Sequence, residues 1–245
     1  MTSKLQATQN RQKQLSALLL SALLVCAGIS YYIAAELPVQ YMLHMGLMLA
    51  AWGVIFPVGA LLARFFKVTR EQDFPRETDN QFWWTWHQSL QYLGTILASI
   101  ATFLIWQKTG WGSSTHAQLG SILLSLAWLQ LISGWLRGSK GGPTDKVMAG
   151  DHFDMTPRRK AFEHWHKTAG WTALLLALFA IGTGLQLIGQ PAFVYVGLPI
   201  VIGTIHTILF ARFSKQGRRI DTYVAIWGQP APNKERLHND RLSNP

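Results

Sequence analysis

Hydrophobic positions along the chain fall into six long blocks, and charged positions collect in the gaps between them. The blocks cover about residues 15–35, 39–66, 80–107, 115–136, 159–188 and 191–213. Each is long enough to cross the roughly 30 Å of hydrocarbon in a bilayer as a helix. None shows the period-two alternation of a strand. The pattern predicts an all-α, polytopic membrane protein with six transmembrane helices.

The blocks divide the chain into three predicted parts. Residues 1–14 form a cytoplasmic N-terminal segment, residues 15–213 the membrane domain, and residues 214–245 a basic cytoplasmic tail. The first block exceeds the apolar core of a signal peptide, so we interpret it as a retained helix. Pro57 is expected to kink the second helix. Thr115 is expected to cap the fourth helix, and Pro191 to lie in the first turn of the sixth.

Composition agrees with a membrane protein. The 245 residues are 49% hydrophobic and 14% charged, whereas a soluble domain carries about 25% charged residues. The single cysteine, Cys26, rules out a disulfide framework within the chain. A net charge of +10 would suggest nucleic acid as the partner of a soluble protein. Here membrane topology explains the charge, and we expect a lipid bilayer and no nucleic acid as partner.

Lysine and arginine define the orientation. Of the 22 cationic residues, all except Lys108 fall on one side of a six-helix arrangement. Positive residues accumulate on the cytoplasmic side of membrane proteins. The distribution therefore predicts that both termini are cytoplasmic and that the protein resides in a plasma membrane, which is the inner membrane in a bacterium.

Four histidines stand near the starts of the second to fifth blocks: His44, His87, His116 and His166. Metal-ligating side chains are rare inside membrane spans and mark functional sites. Because alternate helices point the same way, His44 and His116 should lie near the non-cytoplasmic face. His87 and His166 should lie near the cytoplasmic face. Two imidazole pairs at two depths can ligate two haems, each from both axial sides. The pattern predicts a four-helix di-haem bundle.

Two other histidines compete for these roles. His164 and His166 lie about 200° apart around a helix, so only one of them can face the bundle. His166 shares its stripe with Gly170 and is the one we choose. His206, in the sixth block, is expected to serve packing or proton handling.

Glycines and cations near the histidines extend the candidate site. Gly120 and Gly170 each follow a histidine by four residues and share its helix face. A glycine there allows a flat macrocycle to approach the backbone, although small residues also simply allow close helix packing. Arg64 and Lys67 lie near the cytoplasmic pair and suit haem propionates, or act only as topology determinants.

Four motifs carry a family resemblance. They read HMGLMLAAWGVIFPVGALLAR from His44 to Arg64, WTWHQ from Trp84 to Gln88, HAQLG from His116 to Gly120 and WHKTAGW from Trp165 to Trp171. Together they resemble the cytochrome b561 superfamily over about residues 15–213, most closely the branch whose membrane part follows an extracellular domain. The resemblance implies two haems b. It assigns one to His44 with His116 on the non-cytoplasmic side, and one to His87 with His166 on the cytoplasmic side.

The resemblance also implies transmembrane electron transfer from a cytoplasmic-side reductant to a non-cytoplasmic acceptor, such as a ferric chelate or a partner protein. The donor is ascorbate-like, a quinol or a redox protein, and a homodimer is compatible with the pattern. The protein is then either a ferric-reductase-like oxidoreductase or a simple electron carrier. Two other classes stay open. One is a quinone-linked membrane cytochrome b subunit, and the other is a haem-free proton or metal transporter that uses the intramembrane histidines.

Overall fold

The computed structural model of the chain describes residues 2–67, 81–139 and 156–218. Within these ranges it contains six helices: α1 (Thr2–Ala34), α2 (Val39–Phe65), α3 (Gln81–Thr109), α4 (Thr115–Trp135), α5 (Pro157–Leu187) and α6 (Ala192–Lys215). All six are long and apolar enough to cross a membrane. The prediction of an all-α membrane protein with six spanning helices is confirmed. The tail predicted over 214–245 lies outside the described residues beyond 218.

The helix ends differ in detail from the prediction. α1 begins at Thr2, not near residue 15. The apolar block identified only its membrane part, whereas the preceding segment is rich in good helix formers and continues the helix. The cap of α4 is Ser114, not Thr115, because the Ser114 hydroxyl accepts a hydrogen bond from the Ala117 N–H. Pro191 is the residue that caps α6 and so precedes its first turn.

α2 contains a π-helical stretch, Leu49–Ile55, between the α-helical segments Val39–Met48 and Phe56–Phe65. Pro57 follows the last residue of the stretch by two positions. A proline has no N–H to donate, and its ring displaces the carbonyl of the preceding turn, so the backbone before it must rearrange. The wider π turn absorbs this disturbance by inserting one extra residue. The predicted effect of Pro57 is therefore a local change of helix type.

The bundle core lies between α2, α3, α4 and α5. α2 packs on α3, α4 packs on α5, and the π stretch of α2 contacts α5. The buried cluster at the centre consists mostly of alanine: Ala51, Ala98, Ala127, Ala173, Ala177 and Ala180, with Trp52 and Phe56. Small residues allow helices in a membrane to approach closely, which strengthens dispersion contacts. The core helices are therefore closely spaced.

α1 and α6 flank this core. α1 packs on α2, and α6 packs on α5 and α2. Gly197–Lys215 of α6 has no buried residue. Large apolar side chains on both helices point outward, including Leu18, Leu24, Ile200 and Ile208. In a bilayer these surfaces face lipid, where exposed apolar area is stable.

We expect Gly94→Ala to destabilise the bundle. An added Cβ at position 94 of α3 would lie 2.7 Å from Cε1 of Phe56 on α2. The Phe56 ring is buried and has the Trp52 ring 4.5 Å away, so it has little room to yield. Overpacking of this kind costs about 1–3 kcal/mol. The thermal midpoint of the purified protein in detergent should fall.

The matched control is Gly28→Ala in α1. No atom lies within 4 Å of the added Cβ there. Alanine is a better helix former than glycine by up to about 1 kcal/mol. The midpoint of this variant should stay at or above that of the wild type. A Gly94→Ala midpoint equal to the control would contradict the packing argument.

Candidate functional site

The structure brings the four histidines together in two pairs. The first pair is His44 of α2 and His116 of α4, whose ring centres are 6.0 Å apart with planes at 86°. The second pair is His87 of α3 and His166 of α5, with ring centres 6.1 Å apart and planes at 82°. All four side chains are half-buried. Each pair therefore presents two imidazoles to one small volume inside the bundle.

The two pairs lie at opposite ends of the bundle. His44 is near the start of α2, and it contacts the Ala101 carbonyl near the end of the antiparallel helix α3. His87 lies near the start of α3, fourteen residues before Ala101. At 1.5 Å per residue, fourteen residues of helix span about 21 Å. That distance separates the first pair from the second along the bundle.

Backbone carbonyls hold three of the four rings. Nδ1 of His44 lies 2.9 Å from the Ala101 oxygen, and His87 and His116 make bonds of the same length to Gly59 and Ala180. A carbonyl oxygen can only accept, so Nδ1 carries the hydrogen in each of these rings. Nε2 then keeps the lone pair that binds a metal, and the ring orientation is fixed.

His166 is held differently. Its Nδ1 is buried and has no hydrogen-bond partner in the part of the chain that the structure describes. The side-chain amide of Gln130 on α4 instead donates from Nε2 to the backbone carbonyl of His166, over 3.2 Å. His166 is half-buried, whereas His164 is exposed.

The spacing within each pair fits one metal bound from both sides. With a metal–nitrogen bond of about 2.0 Å and about 1.1 Å from nitrogen to ring centre, each ring centre lies about 3.1 Å from the metal. Two rings on opposite sides of one metal then have centres about 6.2 Å apart. The observed distances are 6.0 and 6.1 Å. Among the described residues no group of three or more His, Cys, Asp or Glu could hold a metal ion. A haem supplies four ligands itself and needs only two from the protein, so the donor set fits a haem.

The predicted glycines lie beside open space. No atom lies within 4 Å of a Cβ added at Gly120, and the nearest atom to one at Gly170 is Nε2 of Gln130 at 3.8 Å. Gly184 of α5 is a glycine that touches a ligand candidate, since its added Cβ would lie 2.7 Å from Cε1 of His116. The sequence does not single out Gly184, because it lies eighteen residues after the histidine of its own helix and packs on His116 from another helix.

Aromatic rings and cations surround the second pair. The Phe162 ring stacks on His166 at 5.0 Å, and the Trp83 ring lies 6.3 Å from His87. The Arg159 guanidinium lies 5.2 Å from the Phe162 ring centre, and Nζ of Lys67 lies 5.7 Å from that of Trp83. The Trp83 ring therefore lies between Lys67 and His87.

Two further charged residues complete this end of the bundle. The Arg64 guanidinium lies over the Phe210 ring of α6 at 5.0 Å, so it contacts α6. Glu163 of α5, which the sequence search did not single out, accepts hydrogen bonds from Lys167 and Arg159 at 2.8 and 3.2 Å. Cations four residues before and after a glutamate form the usual helical ion pairs, and that spacing was the signal available.

His206 does not join either pair by ring contact among the described residues. It is half-buried on α6.

Comparisons with known proteins identify relatives. No family model and no solved structure matches the chain. A cytochrome b561, DM13 and DOMON domain-containing protein of Arabidopsis thaliana is 25% identical over 185 residues, which is 72% of this chain and 18% of that protein. A cytochrome b561 and DOMON domain-containing protein of the same plant is 26% identical over 172 residues, 66% of this chain and 37% of that protein. Human ferric-chelate reductase 1 is 30% identical over 149 residues, 60% of this chain and 22% of that protein.

The matched segments account for only part of each relative. The chain spans between about a fifth and somewhat over a third of the length of these proteins. Two of them carry cytochrome b561 in their names. The chain is an integral membrane protein related to the cytochrome b561 family.

Proposed function

We propose that this chain carries electrons across a membrane through two haems b, each held between two histidines. The observation that carries the proposal is the geometry of the two pairs, with ring centres 6.0 and 6.1 Å apart at opposite ends of one bundle. A haem held by His44 with His116, or by His87 with His166, would supply one-electron chemistry. The relationship to the cytochrome b561 family implies haem b and supports this reading.

The residues of the chain orient the histidine rings. Carbonyl contacts at Ala101, Gly59 and Ala180 fix three rings with Nε2 available for metal binding. The alanine-rich core with Trp52 and Phe56 fills the volume inside the bundle. We assign Gly120 and Gly170 to the lining of the sites. Lys67 and Arg64 supply positive charge for propionates at the end that bears the second pair.

The number of protein ligands favours haem over a bare ion. A zinc ion in a structural site takes four protein ligands, whereas each site here offers two histidines and, among the described residues, no third metal-ligating side chain close by. Four ligands on four consecutive helices also argue against a quinone-linked cytochrome b subunit. Electron transfer therefore fits this donor set better than metal transport.

The proposed direction runs from the cytoplasmic side outward. The end with the second pair carries Arg64, Lys67, Arg159 and Lys167, and positive charge marks the cytoplasmic face. Both termini are then cytoplasmic in a plasma membrane. The donor is a cytoplasmic-side reductant. The acceptor near the first pair is a ferric chelate or a partner redox protein, and the name of the human relative, ferric-chelate reductase 1, supports the first.

Transfer across a bilayer tests the proposal. Vesicles with the purified protein would be loaded with ascorbate, and reduction of external ferricyanide would be followed by absorbance. The wild type should reduce it many-fold faster than protein-free vesicles. Because the two sites act in series, His44→Ala and His87→Ala should each lower the rate to near that of protein-free vesicles. The matched control, His206→Ala, should keep the wild-type rate.

Two outcomes would refute the proposal. One is a wild-type rate equal to that of protein-free vesicles. The other is an undiminished rate in both His44→Ala and His87→Ala, because electrons would then bypass the two pairs.

Cysteine labelling tests the orientation. In a Cys26→Ser background, Ser113→Cys lies between α3 and α4, and Ser214→Cys lies in the last turn of α6. Both positions are exposed. A membrane-impermeant maleimide added to intact cells should label position 113 directly, and position 214 only after permeabilisation. The reverse pattern would show that the bundle is inverted.

A further inference from the structure

Gln130 is a polar side chain in a membrane-spanning helix, where such groups are costly unless hydrogen-bonded. It lies on α4, and its Nε2 donates to the backbone carbonyl of His166 on α5 over 3.2 Å. Because a carbonyl oxygen only accepts, this bond fixes which way the amide points. Oε1 of Gln130 is thereby left to accept from another donor.

Two buried polar atoms remain without a hydrogen-bond partner next to this bond. They are Oε1 of Gln130 and Nδ1 of His166, and neither bonds to any residue that the structure describes. One is an acceptor, and the other carries a hydrogen when Nε2 binds a metal. A buried donor or acceptor that is left without a partner destabilises the fold. The two atoms are complementary.

The helix register places Gln130 where an acceptor is expected. Ala101, which accepts from His44, lies fourteen residues after His87 on α3. Ala180, which accepts from His116, lies fourteen residues after His166 on α5. Gln130 lies fourteen residues after His116 on α4. Each of these helices thus carries a histidine at one end and a group that serves a histidine of another helix at the other end.

On α2 the spacing between the histidine and the acceptor is one residue longer. Gly59, which accepts from His87, lies fifteen residues after His44. The π stretch Leu49–Ile55 falls between them, and a π turn inserts one residue relative to an α-helix. In α2, α3 and α5 the acceptor is a backbone carbonyl. In α4 the group at this position is the Gln130 side chain.

We propose that Gln130 is a positioning residue for His166. Nδ1–H of His166 donates a hydrogen bond to one bound water molecule, and this water donates to Oε1 of Gln130. The inference rests on the proposed function, since Nδ1 carries the hydrogen only when Nε2 is the ligating atom. A water joins the two atoms because they are not in direct contact, and a buried water needs at least two polar partners. The amide thereby fixes the His166 ring and sets how strongly this ring donates electrons to the iron.

The test compares Gln130→Leu with Gln130→Glu by redox titration. Leucine keeps much of the volume but accepts no hydrogen bond, so the His166 ring becomes a weaker donor and stabilises ferric iron less. The midpoint potential of the haem on the second pair should rise. Glutamate keeps an acceptor of equal or greater strength, so that potential should stay at or below the wild-type value. The redox component of the second pair is identified as the one that disappears from the titration of His87→Ala.

The matched control is Gln107→Leu, the same substitution at an exposed position in the last turns of α3. It should leave both potentials unchanged. If Gln130→Leu loses the haem of the second pair, retention of that haem in Gln130→Glu still supports the inference, because both variants lack the amide donor and Gln130→Glu alone keeps an acceptor oxygen.

Three results would overturn the inference. These are an unchanged potential in Gln130→Leu, equal upward shifts in both variants, or loss of the haem from both variants. Failure of the proposed function would look different, since the wild type itself would then lack two redox components.

Discussion

Three histidines of the core helices donate a hydrogen bond from Nδ1 to a backbone carbonyl of a neighbouring helix. These bonds determine how closely the core helices pack. An α-helical carbonyl already accepts from its own helix, so a second donor must come close to the backbone. Small residues at Gly59, Ala101 and Ala180 permit that approach. The bond sets the helix spacing and the tautomer of the ring together.

The regular spacing along the helices links the two ends of the bundle. A histidine and the group that serves its neighbour lie fourteen residues apart on α3, α4 and α5. α2 needs fifteen residues, and its π stretch compensates for the extra one. One added residue in a regular α-helix would rotate the far end by about 100° and turn that group away. The π stretch beside Pro57 therefore keeps the first and second pairs in register.

The sequence was sufficient for the features that depend on residue type and period. Hydropathy predicted the six spans. The alternation of helix direction predicted that His44 lies near His116 and His87 near His166, as the ring distances show. Helical phasing favoured His166 over His164. It was insufficient where the backbone is the partner. The carbonyl at Ala101 is chemically identical to every other carbonyl in α3, so no residue letter marks it.

Other features depend on contacts between helices. Gly184 was missed because it packs on His116 from another helix. Gln130 had a signal, as an amide among apolar residues of α4, but its role requires the register of α4 against α5. For Gly184 and Gln130 the missing information is the relative placement of two helices. The polar start of α1 was missed for a local reason, because helix propensity extends a helix beyond its apolar block.

A haem count on the purified protein measures whether each histidine pair holds one haem. The pyridine haemochrome assay, with the chain quantified by amino-acid analysis, should give two haems b per chain for the wild type. It should give one for His87→Ala, since the first pair, His44 and His116, does not depend on that ring. Fewer than two haems in the wild type, or two retained in His87→Ala, would contradict the assignment of one haem to each histidine pair.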